Sequence, residues 1–457
     1  MIAKMNKLVS INPFSGEEIF SIEELSDKKL SDKVNLSKDS FISFRNTSFE
    51  YRKERMLRLA ILLRKGAGSY AEILTAEMGK KIDEAIAEVN KCAWVCEYYA
   101  EHAQGFLEER ILPSDAKESK VIYQPLGTVL AVMPWNFPFW QVFRFAAPTI
   151  MAANTALLKH ASNVQLCAAA IEQLFLDAGF EEGVFQNLAI KAGKVAEVVA
   201  SDTVKAVTVT GSEAAGAAVA GLAGKHLKKS VLELGGNNAF VVLNDADLDH
   251  AVDQAMIARL LNSGQSCIAA KRFILEKGIA EVFTKRLAEK VSRLKMGDPM
   301  DPKTDLAPLF SVVQAEEIKR QVNDAVDKGA RLIHGGTMKG AFYDPTILCD
   351  VSPGMEVFDH ETFGPVFAIL EAQNPEHALE LSNLSTFGLG MQVYTTSSKS
   401  AQYFIHNVEE GAVFVNDFVK SDPRLPFGGV KRSGFGRELA REGILEFVNC
   451  KTAVIGA

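Results

Sequence analysis

The feature that most constrains the fold of this chain is a regular alternation of short apolar runs and helical patterns that begins at Gly127. The runs are nearly continuous in apolar residues and occur in the order GTVLAVMP, NTALLKH, VFQNLAI, AVTVTGS and SVLELGG. Helical patterns near 163–178, 192–200 and 213–224 separate the later runs. Apolar strands that alternate with helices are typical of a doubly wound parallel sheet. We therefore predict such a sheet over this part of the chain.

A second run of strands and helices follows this predicted sheet. AFVVLN, RFILEK, ARLIHGG, PVFAILEA, LGMQVYTT and GAVFVND indicate strands, and the acidic DADLD opens a helix. Residues 27–110 have the periodicity of helices, with apolar positions three and four apart. Two further segments, KVIYQP and FVNCKTAVIG, indicate short strands, and the second is a candidate exposed strand. Without an internal repeat or a low-complexity linker, the chain is predicted to form two interleaved α/β domains.

The charge and the N-terminal sequence argue against several classes of protein. The formal net charge is −7, and the basic residues are interspersed with acidic ones, whereas a nucleic-acid partner needs a basic face. The N-terminal segment contains no apolar run of signal-peptide length, which indicates a cytoplasmic protein. We therefore expect no nucleic-acid partner and a cytoplasmic location.

One apolar segment, 129–158, is long enough to raise the question of a membrane span. Its three prolines, Pro148 among them, are expected to interrupt a helix, and Asn136 and Arg144 would be costly in lipid. The segment is therefore predicted to be buried in a soluble protein, and no membrane partner is expected.

The chain has six cysteines, and their spacing gives little sign of a metal site or of disulfides. Disulfides are not expected in a long chain without a secretion signal. Cys92 and Cys96 lie four residues apart on a predicted helix, but no nearby histidine or cysteine completes a set of metal ligands. Both are predicted to be small residues on a helix face, and no metal is expected.

Cys267 differs from an ordinary core cysteine because its neighbours in NSGQSCIAAKR are small or polar. A nucleophilic cysteine needs access, a lowered pKa and donors for the oxyanion that it creates. If a helix begins near Cys267, its N-terminal amides would favour both thiolate and oxyanion. A structural thiol in a turn remains the alternative on local sequence alone.

Three other stretches contain polar groups in settings suited to catalysis or to phosphate binding. Glu233 ends an apolar strand before two glycines, where a carboxylate is costly unless it is paired, neutralised or used. Asn136, held between two prolines, is a rigid amide donor of the kind an oxyanion hole requires. Gly211 and Ser212 join a buried strand to a helix, a setting that suits the phosphates of a dinucleotide. A capping carboxylate, a turn asparagine and close helix packing are the respective alternatives.

Six motifs in order give the chain a family resemblance. PWNFP, VTGS, ELGGNN, GQSC, ETFGPV and LPFGGVKRSGFGRE resemble, in order and approximate spacing, those of the NAD(P)-dependent aldehyde dehydrogenases, over nearly the whole chain. The overall pattern is most similar to the short bacterial succinate-semialdehyde dehydrogenases. The resemblance implies an α/β fold with a Rossmann-like cofactor domain, an α/β catalytic domain and a small β oligomerisation arm. The implied boundaries are 1–116 and 126–234 for the cofactor-binding domain, 235–433 for the catalytic domain, and 117–125 with 446–457 for the arm.

The same resemblance implies a mechanism in which an aldehyde is oxidised to its carboxylic acid. Cys267 attacks the aldehyde to give a thiohemiacetal, whose oxyanion is held by the Asn136 side chain and the backbone N–H of Cys267. Hydride transfer to NAD(P)+ leaves a thioester, and Glu233 activates the water that hydrolyses it. The alternatives are another aliphatic or aromatic aldehyde, a CoA-acylating semialdehyde dehydrogenase in which CoA takes the acyl group, and, from a different class, a thiol hydrolase.

The cofactor contacts are also implied by the resemblance. Lys159 binds the adenosine ribose, and Glu361 with Phe363 positions the nicotinamide end. Gly211 and Ser212 receive the pyrophosphate, and Trp135 beside Asn136 completes the cofactor-binding set. One position departs from the pattern, since NAD-preferring relatives commonly carry glutamate where this chain has Ser162. A missing carboxylate removes repulsion toward a 2′-phosphate. We therefore predict that NADP is accepted well, with NAD as the other cofactor.

The implied substrate contacts are fewer. Arg144, on a helix that Pro138 is predicted to begin, matches an arginine that binds the distal carboxylate of succinate semialdehyde, although it could instead pair with an interdomain acid. A second arginine that many such enzymes carry is replaced here by Leu261, and the nearby Arg259 is expected to face elsewhere. Ser421 is a possible anion contact. The partners implied are a small aldehyde and further copies of this chain, in a homodimer or homotetramer.

Overall fold

The computed structural model describes residues 7–456, and the first half of this range begins with a hairpin and a layer of helices. The hairpin comprises β1 (Lys7–Ile11) and β2 (Glu18–Glu23). The helices are α1 (Asp27–Phe44), α2 (Phe49–Lys65), α3 (Ala67–Met78) and α4 (Ile82–Phe106), followed by the strands β3 (Arg110–Ile111) and β4 (Glu118–Pro125). The helical pattern of 27–110 is confirmed, whereas the hairpin was not predicted.

The alternating region from Gly127 forms the predicted parallel sheet. Its elements are β5 (Thr128–Met133), α5 (Trp140–Met151), β6 (Thr155–His160), α6 (Gln165–Asp177), β7 (Phe185–Asn187), α7 (Val195–Ala200), β8 (Val204–Thr210), α8 (Glu213–Lys225) and β9 (Lys229–Glu233). The strands lie in the order β9-β8-β5-β6-β7, and each neighbouring pair is parallel. All residues of β6 and nearly all of β5 are buried, as expected for strands covered on both faces.

The apolar segment 129–158 is part of this core. It forms most of β5, all of α5 and the first four residues of β6, and every residue of α5 is buried. The prediction that Pro148 interrupts a helix is wrong, because α5 continues through it to Met151. Proline removes one backbone donor near the end of α5, and the closely packed surroundings of the helix keep the remaining turn helical. Helix α5 begins at Trp140, two residues after Pro138. Among residues 7–456, no helix is both long and apolar enough to cross a bilayer.

The second run of alternating elements forms a seven-stranded sheet. The first part of this run comprises β10 (Asn238–Val242), α9 (Leu248–Leu260), β11 (Ala270–Glu276), α10 (Lys277–Val291), α11 (Val312–Asp327), β12 (Arg331–His334), β13 (Met338–Lys339), β14 (Phe342–Tyr343) and β15 (Thr346–Cys349). The second part of this run comprises α12 (Glu356–Asp359), β16 (Val366–Ala372), α13 (Pro375–Asn383), β17 (Phe387–Gly388), β18 (Met391–Tyr394), α14 (Ser398–Asn407) and β19 (Val413–Val415). The strand order is β12-β15-β16-β11-β10-β18-β19, with only the β12–β15 pair antiparallel. Two apolar clusters cover its faces.

The C-terminal elements return to the first sheet and then leave it. They are β20 (Val430–Lys431), β21 (Gly434–Phe435), α15 (Ala440–Leu445) and β22 (Val448–Ile455). Strand β21 pairs with β9 at the edge of the first sheet, and β22 pairs antiparallel with β4 along its whole length. The two strands expected to form the arm therefore pair with each other. The domain boundaries drawn from the sequence remain a proposal, which this division into sheets supports.

Candidate active site

The site lies at the carboxyl ends of the parallel strands of the first sheet. From β5 the chain runs outward through β6 and β7, and then returns to the other side of β5 for β8 and β9. Side-by-side strands whose connections run in opposite directions leave a crevice at their carboxyl ends, where ligands of such sheets bind. The crevice here lies between the segments that follow Met133 and Thr210. These two segments contain Asn136 and Ser212, so the topology brings together two motifs that are distant in sequence.

A cavity of about 210 Å³ occupies this crevice. Its lining includes most of the predicted cofactor and catalytic residues, namely Trp135, Asn136, Gly211, Ser212, Glu233, Cys267, Glu361 and Phe363. The indole of Trp135 stacks on Phe310, with 3.7 Å between the ring centroids, and meets Phe363 edge-on. This cavity is called the cofactor-side cavity below.

Helix α8 points its N-terminus at this cavity. The Ser212 hydroxyl accepts a hydrogen bond from the backbone N–H of Ala215 and so caps the helix. No heavy atom lies within 4 Å of the position that a side chain at Gly211 would take, so the backbone is open to a ligand there. An open helix N-terminus favours a bound anion, because its N–H groups and the helix dipole point toward it.

Lys159 and Ser162 lie beside this cavity rather than in its lining. Lys159 is the fifth residue of β6 and is buried, and no hydrogen bond or ion pair within residues 7–456 engages its ammonium group. Burial lowers the pKa of Lys159 from its ordinary value. Ser162 follows two residues after β6 and is half-buried. A buried ammonium without a partner is costly, so this position is suited to an anion from outside the chain.

Glu361 is held by two donors at the edge of the cofactor-side cavity. The Lys271 ammonium donates to Glu361 Oε1 at 2.9 Å, and the backbone N–H of Gly236 donates to the same oxygen at 3.2 Å. Lys271 Nζ also donates to the backbone carbonyls of Ser266 and Cys267. One lysine therefore connects the segment of the candidate nucleophile to the acid predicted to hold the nicotinamide ribose.

Cys267 lies in a turn between a 3₁₀ helix and β11, so the condition of a helix beginning at Cys267 is not met. The preceding residues Asn262, Ser263 and Gly264 all have positive φ, near 55°, 53° and 77°. The first two are strained, because side chains rarely adopt this conformation. Surrounding groups hold the turn: Ser263 Oγ donates to the carbonyl of Ala307 at 2.9 Å. The partly exposed thiol is therefore presented by a turn whose backbone conformation is unfavourable on its own.

The position of the thiol is distinctive, because Cys267 lines two cavities at once. One is the cofactor-side cavity, and the other has a volume of about 540 Å³. Only Cys267 and Gln141 belong to both linings. Gly236 permits this arrangement, since a Cβ there would lie 2.6 Å from the Cys267 carbonyl oxygen.

The expected lowering of the Cys267 pKa is absent in this structure. Burial raises the pKa of the thiol to about 11, while the positive charges of Lys271 and Arg144 act to lower it. Desolvation is the largest effect, because a thiolate loses more hydration than a thiol does when it is buried. The thiol therefore needs a base, or a bound cation nearby, to form the thiolate.

Asn136 is oriented by three hydrogen bonds. Its Nδ2 donates to the Gln265 carbonyl at 3.1 Å, and Gln141 Nε2 donates to its Oδ1 at 3.2 Å. Asn262 Nδ2 donates to the Asn136 backbone carbonyl at 2.8 Å. The amide N–H groups are thereby directed toward the segment of Cys267. This is the preorganised donor that an oxyanion hole requires.

Glu233 is the last residue of β9, as predicted, and its carboxyl group faces the cofactor-side cavity. Neither of its oxygens has a hydrogen-bond partner among the described residues. Burial raises the pKa of Glu233 well above its ordinary value, and the nearby Glu438 raises it further. An unpartnered buried carboxyl group beside a cavity is suited to the role of general base, since a raised pKa makes it a stronger base.

The second cavity, called the aldehyde-side cavity below, contains the predicted substrate contacts. Arg144, Leu261 and Ser421 all belong to its lining. The Arg144 guanidinium forms a buried ion pair with Glu438 and lies over the Phe427 ring. The pairing of Arg144 with an acid, the alternative interpretation of this residue, is thus present in the structure.

Arg259 faces away from this cavity, as expected. It is fully buried and donates to the carbonyls of Ala270 and Thr362 at 2.8 Å each. The two cysteines of α4, Cys92 and Cys96, are both buried on that helix in the apolar core, in agreement with the prediction.

Several residues of the site were missed in the sequence. They are Lys91, Gln141, Lys271 and Glu438. A signal for Lys91 was present, because Glu84, Glu88 and Lys91 are spaced four and three residues apart on α4 and so share one helix face. All three line the aldehyde-side cavity. Glu438 had no local signal, since its partner Arg144 is remote in sequence.

The fold and this site define an NAD(P)-dependent oxidoreductase of the aldehyde dehydrogenase type. The model of the aldehyde dehydrogenase family matches residues 2–453. The chain therefore belongs to the aldehyde dehydrogenase family, and the resemblance found in the sequence is confirmed.

Individual relatives are similar over nearly their whole length. The chain is 49% identical to a probable NADP+ succinate-semialdehyde dehydrogenase of Synechocystis sp., over 98% of this chain and 99% of that one. It is 45% identical to an NAD(P)+ succinate semialdehyde dehydrogenase of Escherichia coli K12, over 97% of each chain. The crystal structure of succinic semialdehyde dehydrogenase from Streptococcus pyogenes with NADP+ superposes with a TM-score of 0.96 at 38% identity, covering 98% of this chain and 100% of that one. The predicted fold class is confirmed.

Proposed function

We propose that this enzyme oxidises succinate semialdehyde to succinate with NADP+, through a thiohemiacetal and a thioester on Cys267. The observation that carries the proposal is the position of Cys267 between two cavities, one with the features of a dinucleotide site and one with cationic side chains. The relatives named above, at 45% and 49% identity, support the choice of substrate.

In the first step the sulfur of Cys267 forms a bond to the aldehyde carbon, and the carbonyl oxygen becomes an oxyanion. The Asn136 amide, fixed by Gln141 and Gln265, donates to that oxygen together with the backbone N–H of Cys267. The thiol gives up its proton to solvent, a loss that the positive charges of Lys271 and Arg144 favour.

The residues of the cofactor-side cavity fit a dinucleotide. Lys159, a buried ammonium without a partner among the described residues, and Ser162 lie beside this cavity and would receive the adenosine end. The open backbone at Gly211 and the helix N-terminus at Ser212 suit the pyrophosphate. The nicotinamide end would lie at Glu361, with Trp135 and Phe363 as the other groups that hold it. When bound, NADP+ would supply the acceptor for the hydride of the thiohemiacetal carbon, and Cys267 would then carry an acyl thioester.

In the last step a water molecule attacks the thioester carbon and Glu233 takes its proton. The carbon–sulfur bond then breaks, releasing succinate and the Cys267 thiolate. The unpartnered oxygens of Glu233 leave both lone-pair sites available for water. A hydrolytic base inside the cavity favours water over CoA as the acyl acceptor.

NADP+ is proposed as the preferred cofactor on two grounds. Ser162 places no carboxylate beside Lys159, so that ammonium is available to a 2′-phosphate. The Streptococcus pyogenes relative was crystallised with NADP+. We further propose that the enzyme is cytoplasmic and that β4 and β22 form an arm that joins two or four copies of this chain, since β22 is largely exposed.

A panel of aldehydes and cofactors tests this proposal. We expect succinate semialdehyde with NADP+ to give the highest kcat/KM, at least roughly tenfold above butanal, which has a methyl group in place of the distal carboxylate. Added CoA should leave free succinate as the product. Equal efficiency with butanal would exclude succinate semialdehyde as the preferred substrate. Use of NADP+ a hundredfold less efficiently than NAD+ would exclude the preference for NADP+. Turnover of esters without any nicotinamide cofactor would indicate a thiol hydrolase.

A further inference from the structure

Lys91 projects from α4 into the aldehyde-side cavity, which also contains Cys267. Its ammonium donates to the Ser421 hydroxyl at 2.8 Å and lies 4.3 Å from the centroid of the Trp140 ring. These two contacts fix the position of the ammonium, because a hydroxyl lone pair and a π-face both attract a cation. Neither contact neutralises its charge.

The other cations of this cavity are already paired with acids. Arg144 forms its ion pair with Glu438 and is buried. At the mouth, the remaining pairs are Lys420 with Asp417 and Arg424 with Asp422. Within residues 7–456, no carboxylate oxygen lies within 4 Å of Lys91 Nζ. The lining therefore has one cation whose charge is not balanced by an adjacent acid.

Ser421 contributes a second donor beside Lys91. Its oxygen accepts the hydrogen bond from Lys91, so its own O–H is free to donate, and it donates to none of the described residues. An ammonium and a hydroxyl side by side, both directed into a cavity, can bind the two oxygens of one carboxylate. Leu261, at the position of the absent arginine, lines the same cavity and has no charge to offer.

We propose that Lys91, acting with Ser421, selects aldehydes that carry a distal carboxylate, and that Arg144 has a lesser part because Glu438 balances its charge. This inference rests on the proposed function and specifies its substrate-recognising residue. Lys91 lies on α4, whereas Leu261, at the position of the absent arginine, follows α9. Lys91 therefore binds the distal carboxylate from a different part of the chain. Specificity is thereby preserved although the expected side chain is missing.

The charge of Lys91, and with it the binding of a carboxylate substrate, depends on pH. Burial and, to a lesser extent, the positive charge of Arg144 lower the pKa of Lys91 to about 8, while Cys92, Asp422 and Glu88 act in the opposite direction. The titratable and charged groups around it are Glu84, Glu88 and Cys92 on α4, Arg144 on α5, Lys420, Asp422 and Arg424 after β19, and Cys267. Above pH 8, Lys91 loses its charge and the KM for a carboxylate substrate should rise.

Steady-state kinetics of Lys91→Met with saturating NADP+ test the proposal. We expect kcat/KM for succinate semialdehyde to fall roughly 10- to 100-fold, as for the loss of a hydrogen bond to a charged group. Efficiency with butanal should change less than about threefold, since butanal has no carboxylate for the ammonium to bind. Retained butanal oxidation also shows that the variant is folded.

Two further variants distinguish carboxylate recognition by Lys91 from the effect of removing any positive charge and from a purely structural role of the side chain. Lys28→Met removes a paired, exposed cation on α1, outside both cavities, and should change kcat/KM for succinate semialdehyde less than about threefold. Lys91→Arg should recover most of the selectivity and move the rise in KM from near pH 8 to a higher pH.

An equal loss for both aldehydes in Lys91→Met, or an unchanged ratio between them, would overturn the proposal. So would a KM for succinate semialdehyde that rises above pH 8 in Lys91→Met as it does in the unaltered enzyme. Failure of the proposed function is distinguishable, because it would show as the absence of any preference for succinate semialdehyde before a residue is changed.

Discussion

The two cavities that meet at Cys267 differ in how the chain builds them. The cofactor-side cavity is formed largely by short segments at strand ends, such as those containing Asn136, Ser212 and Glu233. The aldehyde-side cavity is formed by side chains from helices and loops far apart in sequence, such as Lys91, Arg144 and Ser421. The first is therefore defined by local motifs and the second by long-range packing.

This difference separates the chemistry of the enzyme from its selectivity. Strand ends of a parallel sheet have fixed positions, so a few motifs suffice to place the cofactor and the reacting groups. A cavity made of side chains can exchange one charged residue for another on a different element. The proposed role of Lys91 is an example, since Lys91 would supply the positive charge that Leu261 does not.

The largest effect is expected at the residue shared by both cavities. Cys267→Ser should lower kcat with succinate semialdehyde and NADP+ by about 10³-fold or more, because a serine hydroxyl is a poorer nucleophile and a poorer leaving group than a thiolate. Initial rates of NADPH formation measure this loss. Cys450→Ser is the matched control, since Cys450 is exposed on β22 outside both cavities, and its activity should be unchanged. Comparable losses in both variants would contradict a specific role for Cys267.

The next largest effect concerns the cofactor-side cavity alone. Glu233→Gln should lower the steady-state kcat roughly 10²- to 10⁴-fold by removing the general base. Both binding surfaces remain, so KM for the aldehyde should change little. A steady-state rate close to that of the unaltered enzyme would show that another group activates the water.

The same variant should be more stable, with a pH dependence that the pKa of Glu233 sets. Burial raises this pKa above its ordinary value of 4.5, so keeping Glu233 ionised opposes folding at pH above 4.5 and has no such effect below it. The midpoint of thermal unfolding of Glu233→Gln should therefore exceed that of the unaltered enzyme at pH 8, by an amount that shrinks at pH 5. An advantage that grows toward pH 5 would contradict the raised pKa.

The smallest effect is expected at the adenosine end of the cofactor. Ser162→Glu adds a carboxylate near Lys159 and should lower the ratio of kcat/KM for NADP+ to that for NAD+ roughly 10- to 100-fold, through repulsion of the 2′-phosphate. Assays with both cofactors at fixed succinate semialdehyde measure the ratio. An unchanged ratio would place the 2′-phosphate elsewhere.

Local patterns in the sequence predicted much of the fold and of the cofactor-side cavity. The parallel strands from β5 to β9 are continuous apolar runs, and Glu233 ends its strand as expected. The β1–β2 hairpin was missed because its strands are partly exposed and lack a continuous apolar run. Pro148 was misjudged because close packing around α5 outweighs the local cost of proline.

Long-range contacts account for what could not be predicted in the site. The turn at Cys267 depends on partners such as Asn136 and Ala307, so its left-handed residues have no local signal. The pair of Arg144 with Glu438 joins residues nearly three hundred positions apart. The spacing of Glu84, Glu88 and Lys91 indicated a shared helix face, but only the fold shows that this face lines a cavity.

The account predicts that the acyl group is carried by the thiol between the two cavities. Glu233→Gln, incubated with succinate semialdehyde and NADP+ and then quenched in acid, should show a mass increase of about 100 Da, that of a succinyl group, on the peptide containing Cys267. About one NADPH per subunit should form in a rapid initial phase before the slow steady state. A variant that forms NADPH without a modified Cys267, or with the acyl group on another residue, would contradict the account.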